Sequence, residues 1–268
     1  MERFKFKKKF GQNFINDLNV ITKIVKLSNV DKDTLVIEIG AGSGNLTKEL
    51  CDKAGFVISY EIDKDLEKTL EVKLNDYNNK QLIIGDFLLS NVAEEIKKYD
   101  YKKIYVVANL PYYITTPIVT KIINENLNID KLVIMVQKEV GNRFNAKPGT
   151  KSYGSLTIFI NYFYDVSKLM DVSRNVFTPK PNVDSIVICL DKKEKKYEVL
   201  HEDVFFKLVR DSFQFKRKTI RNNLKDYDLD IIGETLKKHN LDLSVRAERL
   251  PGEIFADISN AISKKWYF

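Results

Sequence analysis

A strand followed at once by a glycine-rich turn constrains the fold of this chain more than any other feature of its sequence. Residues 35–39 are all apolar except Glu38, and glycine then occupies positions 40, 42 and 44. A near-continuous apolar run is typical of a strand buried on both faces of a parallel sheet. Three glycines in five residues predict a turn whose backbone approaches a nucleotide-like ligand before the next helix begins.

This turn is neither a dinucleotide fingerprint nor a phosphate-binding P-loop. The dinucleotide pattern G-x-G-x-x-G needs glycine where Asn45 stands, and no G-K-[ST] follows. A tight turn without a ligand is the simpler interpretation. Three closely spaced glycines after a buried strand favour the ligand-binding one.

The chain from Thr34 to about Leu190 alternates short apolar runs with amphipathic stretches, as the strands and helices of a doubly wound α/β sheet do. The predicted strands are 35–39, 56–60, 81–84, 104–108 and 132–136, and the predicted helices include 63–75 and 115–125. Aromatic and β-branched residues near 155–164 and 185–190 predict at least one more strand, with its direction left open.

The run of residues 192–196 contains no apolar side chain and predicts a linker. Beyond it the apolar spacing is helical, as in Ile254, Ile258 and Ile262. We therefore expect a first domain over residues 1–191 and a small all-helical C-terminal domain over residues 192–268.

Composition excludes several classes of protein. Two cysteines and two histidines cannot supply a zinc ribbon or a disulfide framework, so we expect no metal. No apolar run approaches the roughly 20 residues that span a bilayer, which predicts a cytoplasmic protein without a membrane partner. The sequence carries no dimerisation signal, so we expect a monomer.

Two acidic residues follow the second and third predicted strands, at the edge of the sheet where ligands bind. Glu61 is suited to holding ribose hydroxyls. Asp86 is suited to accepting a hydrogen bond from an adenine amino group, with Phe87 near the ring. For either carboxylate alone a helix N-cap is the default interpretation, and only together with the glycine turn do the two suggest an adenosine-bearing cofactor. A nicotinamide cofactor would use a similar glutamate.

The end of the fourth predicted strand carries Asn109, Leu110, Pro111 and Tyr112. An ordinary turn is one interpretation, but this tetrapeptide resembles the (Asn/Asp)-x-Pro-(Tyr/Phe) motif of S-adenosylmethionine-dependent methyltransferases that modify exocyclic amino groups of bases. The Asn109 side-chain oxygen and the Leu110 carbonyl can hold both amino hydrogens while Tyr112 stacks on the base. Zinc-dependent deamination, the other chemistry at adenine N6, needs an H-x-E…P-C-x-x-C pattern that the sequence lacks.

With these motifs in view, the chain resembles the small-subunit rRNA adenine dimethyltransferases over essentially its whole length. The similar stretches are residues 9–17, 38–44, 61–63, 85–86 and 177–185. The resemblance implies a Rossmann-like methyltransferase sheet, S-adenosylmethionine as cofactor and methylation of two adjacent adenosines near the 3′ end of small-subunit rRNA in an assembling small ribosomal subunit. One departure is Ala41, where the family usually has proline.

The resemblance also implies site residues. The expected cofactor-binding residues are Gln12, Asn13, Ile15, Glu38, Gly40, Gly42, Gly44, Glu61, Ile62, Asp86, Phe87 and Asn109. The expected catalytic residues are Asn109, Leu110, Pro111, Tyr112 and Phe177. Phe177 is either a second stacking plate opposite Tyr112 or a core phenylalanine before a proline-rich turn.

Large-subunit rRNA adenine methylases that confer macrolide resistance share several of these motifs. The stretches that favour the small-subunit family are residues 136–140, 148–154, 215–224, 246–250 and 253–255. A protein of another class, a non-catalytic RNA-binding or ribosome-assembly factor with the same fold, remains an alternative. Such a factor has no need for two acceptors and a stacking ring beside a cofactor loop.

Positive charge is concentrated in two places. Lys+Arg 44 against Asp+Glu 37 gives a net charge of +7. Basic residues cluster at the N-terminus and again between positions 207 and 225. In this second stretch Asp211 is the one acidic residue. A charge run alone is usually a solvated surface, but beside a base-methylating site it predicts phosphate contacts. The expected RNA-binding residues are Lys7, Lys8, Lys9, Arg217, Lys218 and Arg221.

Overall fold

A computed structural model of the chain describes residue 7 and residues 11–194 and 197–266. The strands are β1 (Phe14–Ile15), β2 (Thr34–Ile39), β3 (Phe56–Glu61), β4 (Lys80–Ile84), β5 (Lys103–Asn109), β6 (Lys131–Gln137), β7 (Tyr164–Val172), β8 (Phe177–Thr178) and β9 (Ser185–Lys192). The α-helices are α1 (Leu18–Ser28), α2 (Asn45–Lys53), α3 (Glu67–Lys73), α4 (Val92–Ile96), α5 (Thr115–Asn124), α6 (Lys138–Phe144), α7 (Ser155–Phe163), α8 (Glu202–Ser212), α9 (Ile220–Asn223), α10 (Leu229–Lys238) and α11 (Gly252–Trp266).

Seven strands form one sheet in the order β4-β3-β2-β5-β6-β9-β7. Strands β2 to β6 pair in parallel, whereas β9 runs antiparallel to β6. The chain builds outward from β2 through β3 to β4, then returns to place β5 on the other side of β2. This reversal confirms the predicted doubly wound sheet, and ligands of such sheets bind outside the carboxyl ends of the strands where the order reverses.

All five predicted parallel strands are confirmed to within two residues. Every residue of β2 is buried, as its apolar run predicts. Strand β4 differs, because all five of its residues are only half-buried. It is an edge strand, since β3 is its one neighbour in the sheet among the described residues.

The stretch near 155–164 is a correction to the sequence analysis, because residues Ser155–Phe163 form helix α7 rather than a strand. The Thr157 hydroxyl accepts a hydrogen bond from the Gly154 N–H (3.3 Å) at the start of the helix. Ile158 and Tyr162, four residues apart, then enter one apolar cluster. Burial on one helical face outweighs the strand propensity of the side chains.

The described residues group into two compact units. One contains residues up to 141 together with 166–192, and the other contains 142–165 together with the residues from 193 onward. The predicted division between 191 and 192 therefore needs correction for residues 142–165. Their apolar side chains, Tyr153 and Tyr162 among them, share a cluster with Phe205 and Phe255 of the C-terminal helices.

A second, two-stranded sheet holds the N-terminal segment within the first unit. Strands β1 and β8 pair antiparallel, with Ile15 opposite Phe177. The Asn16 N–H donates to the Val176 carbonyl (2.9 Å) beyond the end of β1. This attachment fixes the segment that precedes α1 near the carboxyl ends of the parallel strands.

Candidate active site

A cavity that opens to solvent lies at the carboxyl ends of the parallel strands in the first unit. The lining residues are Gly11, Gln12, Asn13, Phe14, Gly40, Gly42, Glu61, Ile62, Asn109, Leu110, Pro111 and Tyr112. Ten of these twelve are residues that the sequence analysis assigned to the cofactor or to catalysis, and the structure brings them together.

The glycine turn is held in shape by Glu61 at the end of β3. One carboxylate oxygen accepts the Gly42 N–H (2.7 Å) and the other accepts the Asp63 N–H (2.9 Å). Burial raises the pKa of Glu61, and these N–H donors oppose the rise. Gly42 has φ +56°, and a Cβ there would lie 3.1 Å from the Phe14 ring. Only glycine therefore leaves both the turn and the cavity open.

Gly44 has a different role from Gly40 and Gly42, the two glycines of this turn that line the cavity. It precedes α2 with φ +73°, and a Cβ there would lie 2.9 Å from Cδ2 of Leu70. Close packing of the turn against α3 explains this glycine. Lys73 of α3 adds a second tie, because its ammonium donates to the Ser43 carbonyl (2.7 Å).

Glu38 was predicted to bind the cofactor, but it is fully buried beneath the turn and does not line the cavity. The Ser59 hydroxyl donates to one of its oxygens. The other oxygen and the nearby Thr47 hydroxyl are buried without a hydrogen-bond partner among the described residues. Burial raises the pKa of Glu38 to about 7, and the hydrogen bond from the Ser59 hydroxyl opposes the rise.

Asn109 is fixed by the N-terminal segment. Its side-chain N–H donates to the Asn13 carbonyl (3.0 Å), which leaves Oδ1 as the free end of the amide. The Leu110 N–H donates to the Met135 carbonyl (3.2 Å) of β6, so the backbone that carries the Leu110 carbonyl is also fixed. Within the described part of the chain, neither Asn109 Oδ1 nor the Leu110 carbonyl accepts a hydrogen bond.

Tyr112 and Phe177, the two predicted stacking rings, have different environments. The Tyr112 hydroxyl bonds to the Ser185 hydroxyl of β9 (2.9 Å), and burial raises the pKa of this phenol. Phe177 is 3% exposed and belongs to an apolar cluster with Ile15. The pairing of β8 with β1 places the Phe177 ring in this core, and the ring does not line the cavity.

A polar network anchors the segment that carries Gln12. The Gln12 side-chain N–H donates to Asp63 (2.7 Å), and the Lys7 ammonium bonds to Asp63 (2.5 Å) and Asp65 (2.6 Å). Lys7 was predicted to contact RNA, but here its charge is compensated by two carboxylates. The pKa of Asp63 is lowered by Lys7 and Gln12, against the effect of burial.

Asp86 and Phe87 follow the end of β4 and do not line the cavity. One Asp86 oxygen accepts the Leu88 N–H (2.8 Å) within the turn at 87–89, so this carboxylate caps a turn and not the helix N-terminus that was the alternative to an adenine contact. Phe87 is 4% exposed and meets the edge of Tyr60, with ring centroids 5.2 Å apart. Ile15 lines a small neighbouring pocket instead.

Sequence reasoning missed Tyr113. This side chain is 54% exposed, and a Cβ on Gly11 would lie 3.1 Å from its ring. Burial of part of the phenol raises its pKa, and the nearby charges of Asp86 and Glu61 add to the rise. The side chain that follows Tyr112 therefore stands near both acidic residues, a proximity for which the sequence gives no signal.

Of the other predicted RNA contacts, Arg217, Lys218 and Arg221 are exposed in the second unit. Lys8 and Lys9 lie outside the described residues. No group of three or more potential metal ligands occurs within the ranges that the structure describes. None of the described helices is long and apolar enough to cross a membrane.

Comparison with known proteins adds independent evidence. A family model described as ribosomal RNA adenine dimethylase matches residues 3–264. The chain is 44% identical over 271 residues to a ribosomal RNA small subunit methyltransferase A of Staphylococcus carnosus, covering 98% of this chain and 92% of that protein. It is 43% identical over 264 residues to the protein of that name from Staphylococcus aureus, covering 95% and 89%.

Two solved structures are similar over most of the chain. A dimethyladenosine transferase from Plasmodium falciparum superimposes with a TM-score of 0.79 at 25% identity, covering 94% of this chain and 98% of that one. The 23S rRNA methyltransferase ErmE gives a TM-score of 0.73 at 25% identity, covering 94% and 100%. Both similarities extend beyond the first unit to nearly the whole chain.

Proposed function

The chain belongs to the ribosomal RNA adenine dimethylase family, and from this premise we propose that it methylates the N6 amino groups of two adjacent adenosines near the 3′ end of small-subunit rRNA. It is an S-adenosylmethionine-dependent methyltransferase, and the proposed product is dimethyladenosine. One observation carries the proposal. Asn109 Oδ1 and the Leu110 carbonyl are two fixed acceptors, without donors in the described chain, at the wall of the cavity.

The residues around the cavity fit S-adenosylmethionine. Gly40 and Gly42 contribute only backbone to the wall of the cavity. A side chain at Gly42 would contact the Phe14 ring closely and occupy part of the cavity. Both oxygens of Glu61 already accept one backbone N–H each, and each retains a lone pair to which a ribose hydroxyl can donate. When bound, the cofactor supplies an electrophilic methyl group on a sulfonium sulfur.

The two acceptors address the difficulty of methylating an adenine amino group. The N6 lone pair is delocalised into the ring and is a weak nucleophile. Acceptors at Asn109 Oδ1 and the Leu110 carbonyl hold the two amino hydrogens, aim the lone pair and stabilise positive charge as it develops on nitrogen. Tyr112, braced through its hydroxyl by Ser185, supplies an aromatic face for the unstacked base.

The Asn13 carbonyl makes this arrangement depend on the N-terminal segment. Because the Asn13 carbonyl accepts the Asn109 side-chain N–H, the Asn109 amide group cannot rotate by 180° without losing that hydrogen bond. Oδ1 is thus held ready for the substrate. Asn13 is therefore a positioning residue, acting through Asn109.

The substrate context and the roles of the two units are also part of the proposal. We assign the first unit to cofactor and target base, and the second to docking on small-subunit rRNA in an assembling subunit. Support comes from the exposed Arg217, Lys218 and Arg221 and from the names of the relatives. A monomer acting in the cytoplasm is the simplest state consistent with the sequence.

Methyl transfer to small ribosomal subunits that lack the modification tests this function. Labelled S-adenosylmethionine and nucleoside analysis of the product should reveal dimethyladenosine at adjacent positions near the 3′ end. Transfer to naked large-subunit RNA alone would place the chain with enzymes such as the 23S rRNA methyltransferase that it resembles in structure. Binding without transfer to either RNA would favour a non-catalytic assembly factor.

A further inference from the structure

An exposed aromatic ring lies on the surface of the second unit. Phe215 lies in the loop between α8 and α9 and is 56% exposed. The neighbouring aromatic Phe213 packs against the apolar cluster of that unit, so exposure of Phe215 is not a general property of the loop. Leaving a phenylalanine in water forfeits the burial that usually stabilises such a side chain.

The loop that carries this ring is rigidly organised by Asn223. Its side-chain oxygen accepts the Phe215 N–H (3.1 Å). Its side-chain nitrogen lies within hydrogen-bond distance of the carbonyls of Ser212 (2.8 Å), Phe215 (3.2 Å) and Lys218 (3.5 Å). One side chain thus ties together the loop backbone from its start almost to its end, and a preorganised loop loses little entropy on binding.

The charge around the ring is positive, although Arg221 lies close enough to Asp242 for its guanidinium to help lower the pKa of that carboxyl. Lys216, Arg217 and Lys218 follow Phe215 directly, and all three side chains are exposed. In the part of the chain that the structure describes, no carboxylate forms an ion pair with Arg217, Lys218 or Arg221. Lys216 differs, because its ammonium donates to the Lys151 carbonyl (2.5 Å) and so helps to hold the loop.

We propose that Phe215 is a stacking platform for an unpaired base of the RNA, with Arg217, Lys218 and Arg221 holding the phosphates beside it. A polyanion can form ion pairs with these cations, and nucleic acid is a polyanion whose bases also offer flat apolar faces to an exposed ring. Base–aromatic stacking is tolerant of sequence, so the contact orders an unpaired nucleotide without reading which base it is. This inference rests on the proposed function, because it takes RNA as the partner.

The salt dependence of binding distinguishes stacking from phosphate contact. Dissociation constants for small subunits lacking the modification are measured at several salt concentrations for the wild type, F215L, F215Y and R217A. F215L keeps apolar bulk but loses the ring, so affinity should fall about fivefold to a hundredfold with the slope of log affinity against log salt unchanged. F215Y should bind within about twofold of the wild type. R217A should instead lower the slope by about 0.7.

Leu200, 54% exposed in the same unit, supplies the matched control, and L200A should bind as the wild type does. All variants alter exposed side chains, and equal unfolding temperatures will verify that each folds. Unchanged binding by F215L, or equal losses in F215L and F215Y, would overturn the stacking platform. If either result accompanies normal methyl transfer by the wild type, the proposed function stands. Absence of both binding and transfer in the wild type would overturn both proposals.

Discussion

Polar side chains at the cavity of the first unit are hydrogen-bonded to other protein groups, whereas the cations in the loop between α8 and α9 of the second unit are exposed. Around the cavity, the side chains of Glu61, Gln12 and Asn109 each form a hydrogen bond with a neighbouring protein group. In the loop, Arg217 and Lys218 are exposed and form no ion pair within the described chain. Chemistry at a weak nucleophile needs atoms fixed in advance, whereas docking on RNA needs charge that remains available for phosphates.

This difference predicts that substitutions in the two regions have separable effects. A change at the cavity should alter the rate of methyl transfer and leave RNA affinity intact. A change at the loop should alter affinity and its salt dependence and leave the rate at saturation intact. The following variants test this separation, beginning with the one for which we expect the largest effect.

Asn109→Ala should lower the rate of methyl transfer about a hundredfold to a thousandfold, the usual loss when one preorganised hydrogen-bonding group at a reacting centre is removed. RNA affinity should stay within about twofold of the wild type, since a single uncharged contact is lost among many phosphate contacts. Transfer is measured under single-turnover conditions and affinity by filter binding. Asn78→Ala, at an exposed site of the same unit, is the control. Wild-type turnover in Asn109→Ala would refute the assigned role.

Glu38→Gln tests the buried carboxyl beneath the glycine turn. The folded state holds the Glu38 proton up to a pKa of about 7, whereas the unfolded chain releases it near 4.5. Stability from this group is therefore fully present below about pH 4.5 and is lost as pH rises through 7, a change of about 3 kcal/mol. The variant should lack this decline in the free energy of unfolding, measured by denaturation at pH 5 and pH 8.

The exposed Glu71 of α3 gives the matched control for that experiment, and Glu71→Gln should retain the wild-type dependence on pH. An equal decline in wild type and Glu38→Gln would show that the buried carboxyl does not carry a proton in the folded state at pH 5.

Replacing Arg217, Lys218 and Arg221 together with alanine should reduce the slope of log affinity against log salt by about 2, or about 0.7 for each lost phosphate contact. The measurement is binding to unmodified small subunits across a salt series. Lys97→Ala removes a cation that pairs with Glu94 in the first unit, and it should leave the slope unchanged. If the triple variant keeps the wild-type slope, these three side chains do not contact RNA phosphates.

Asn223→Ala should weaken RNA binding by a few-fold, up to about tenfold, because the loop must then be ordered on binding. All charges remain, so the salt slope should not change. Asn222 directly precedes Asn223, its side chain donates to the Thr219 hydroxyl (3.1 Å), and it is the control position. Equal effects of Asn222→Ala and Asn223→Ala on affinity would contradict a specific role for the Asn223 hydrogen bonds.

Much of the sheet and its site could be predicted from sequence, because both follow local patterns. The apolar runs of β2 and β5 reveal buried strands, and the rule for doubly wound sheets brings Gly40 and Asn109 to the same edge. Helix α7 was mispredicted because aromatic and β-branched residues suggest a strand. The spacing of Ile158 and Tyr162 was the available helical signal.

The contacts that hold the site in place could not be predicted, because they join residues distant in sequence. The Tyr112 hydroxyl meets Ser185, 73 positions away, and Asn109 meets the Asn13 carbonyl, 96 positions away. Phe177 shows the same limit. A phenylalanine before a proline-rich turn looks equally suited to a stacking or a core role until its strand is known to pair with β1.

The most direct test of the division between chemistry and docking is single-turnover methyl transfer as a function of small-subunit concentration, comparing Asn109→Ala with the triple variant of Arg217, Lys218 and Arg221. We predict that the triple variant needs more subunits but reaches a rate within about twofold of the wild type at saturation. Asn109→Ala should stay slow at every concentration. A triple variant that stays slow at saturation, or an Asn109→Ala enzyme that recovers, would contradict the division.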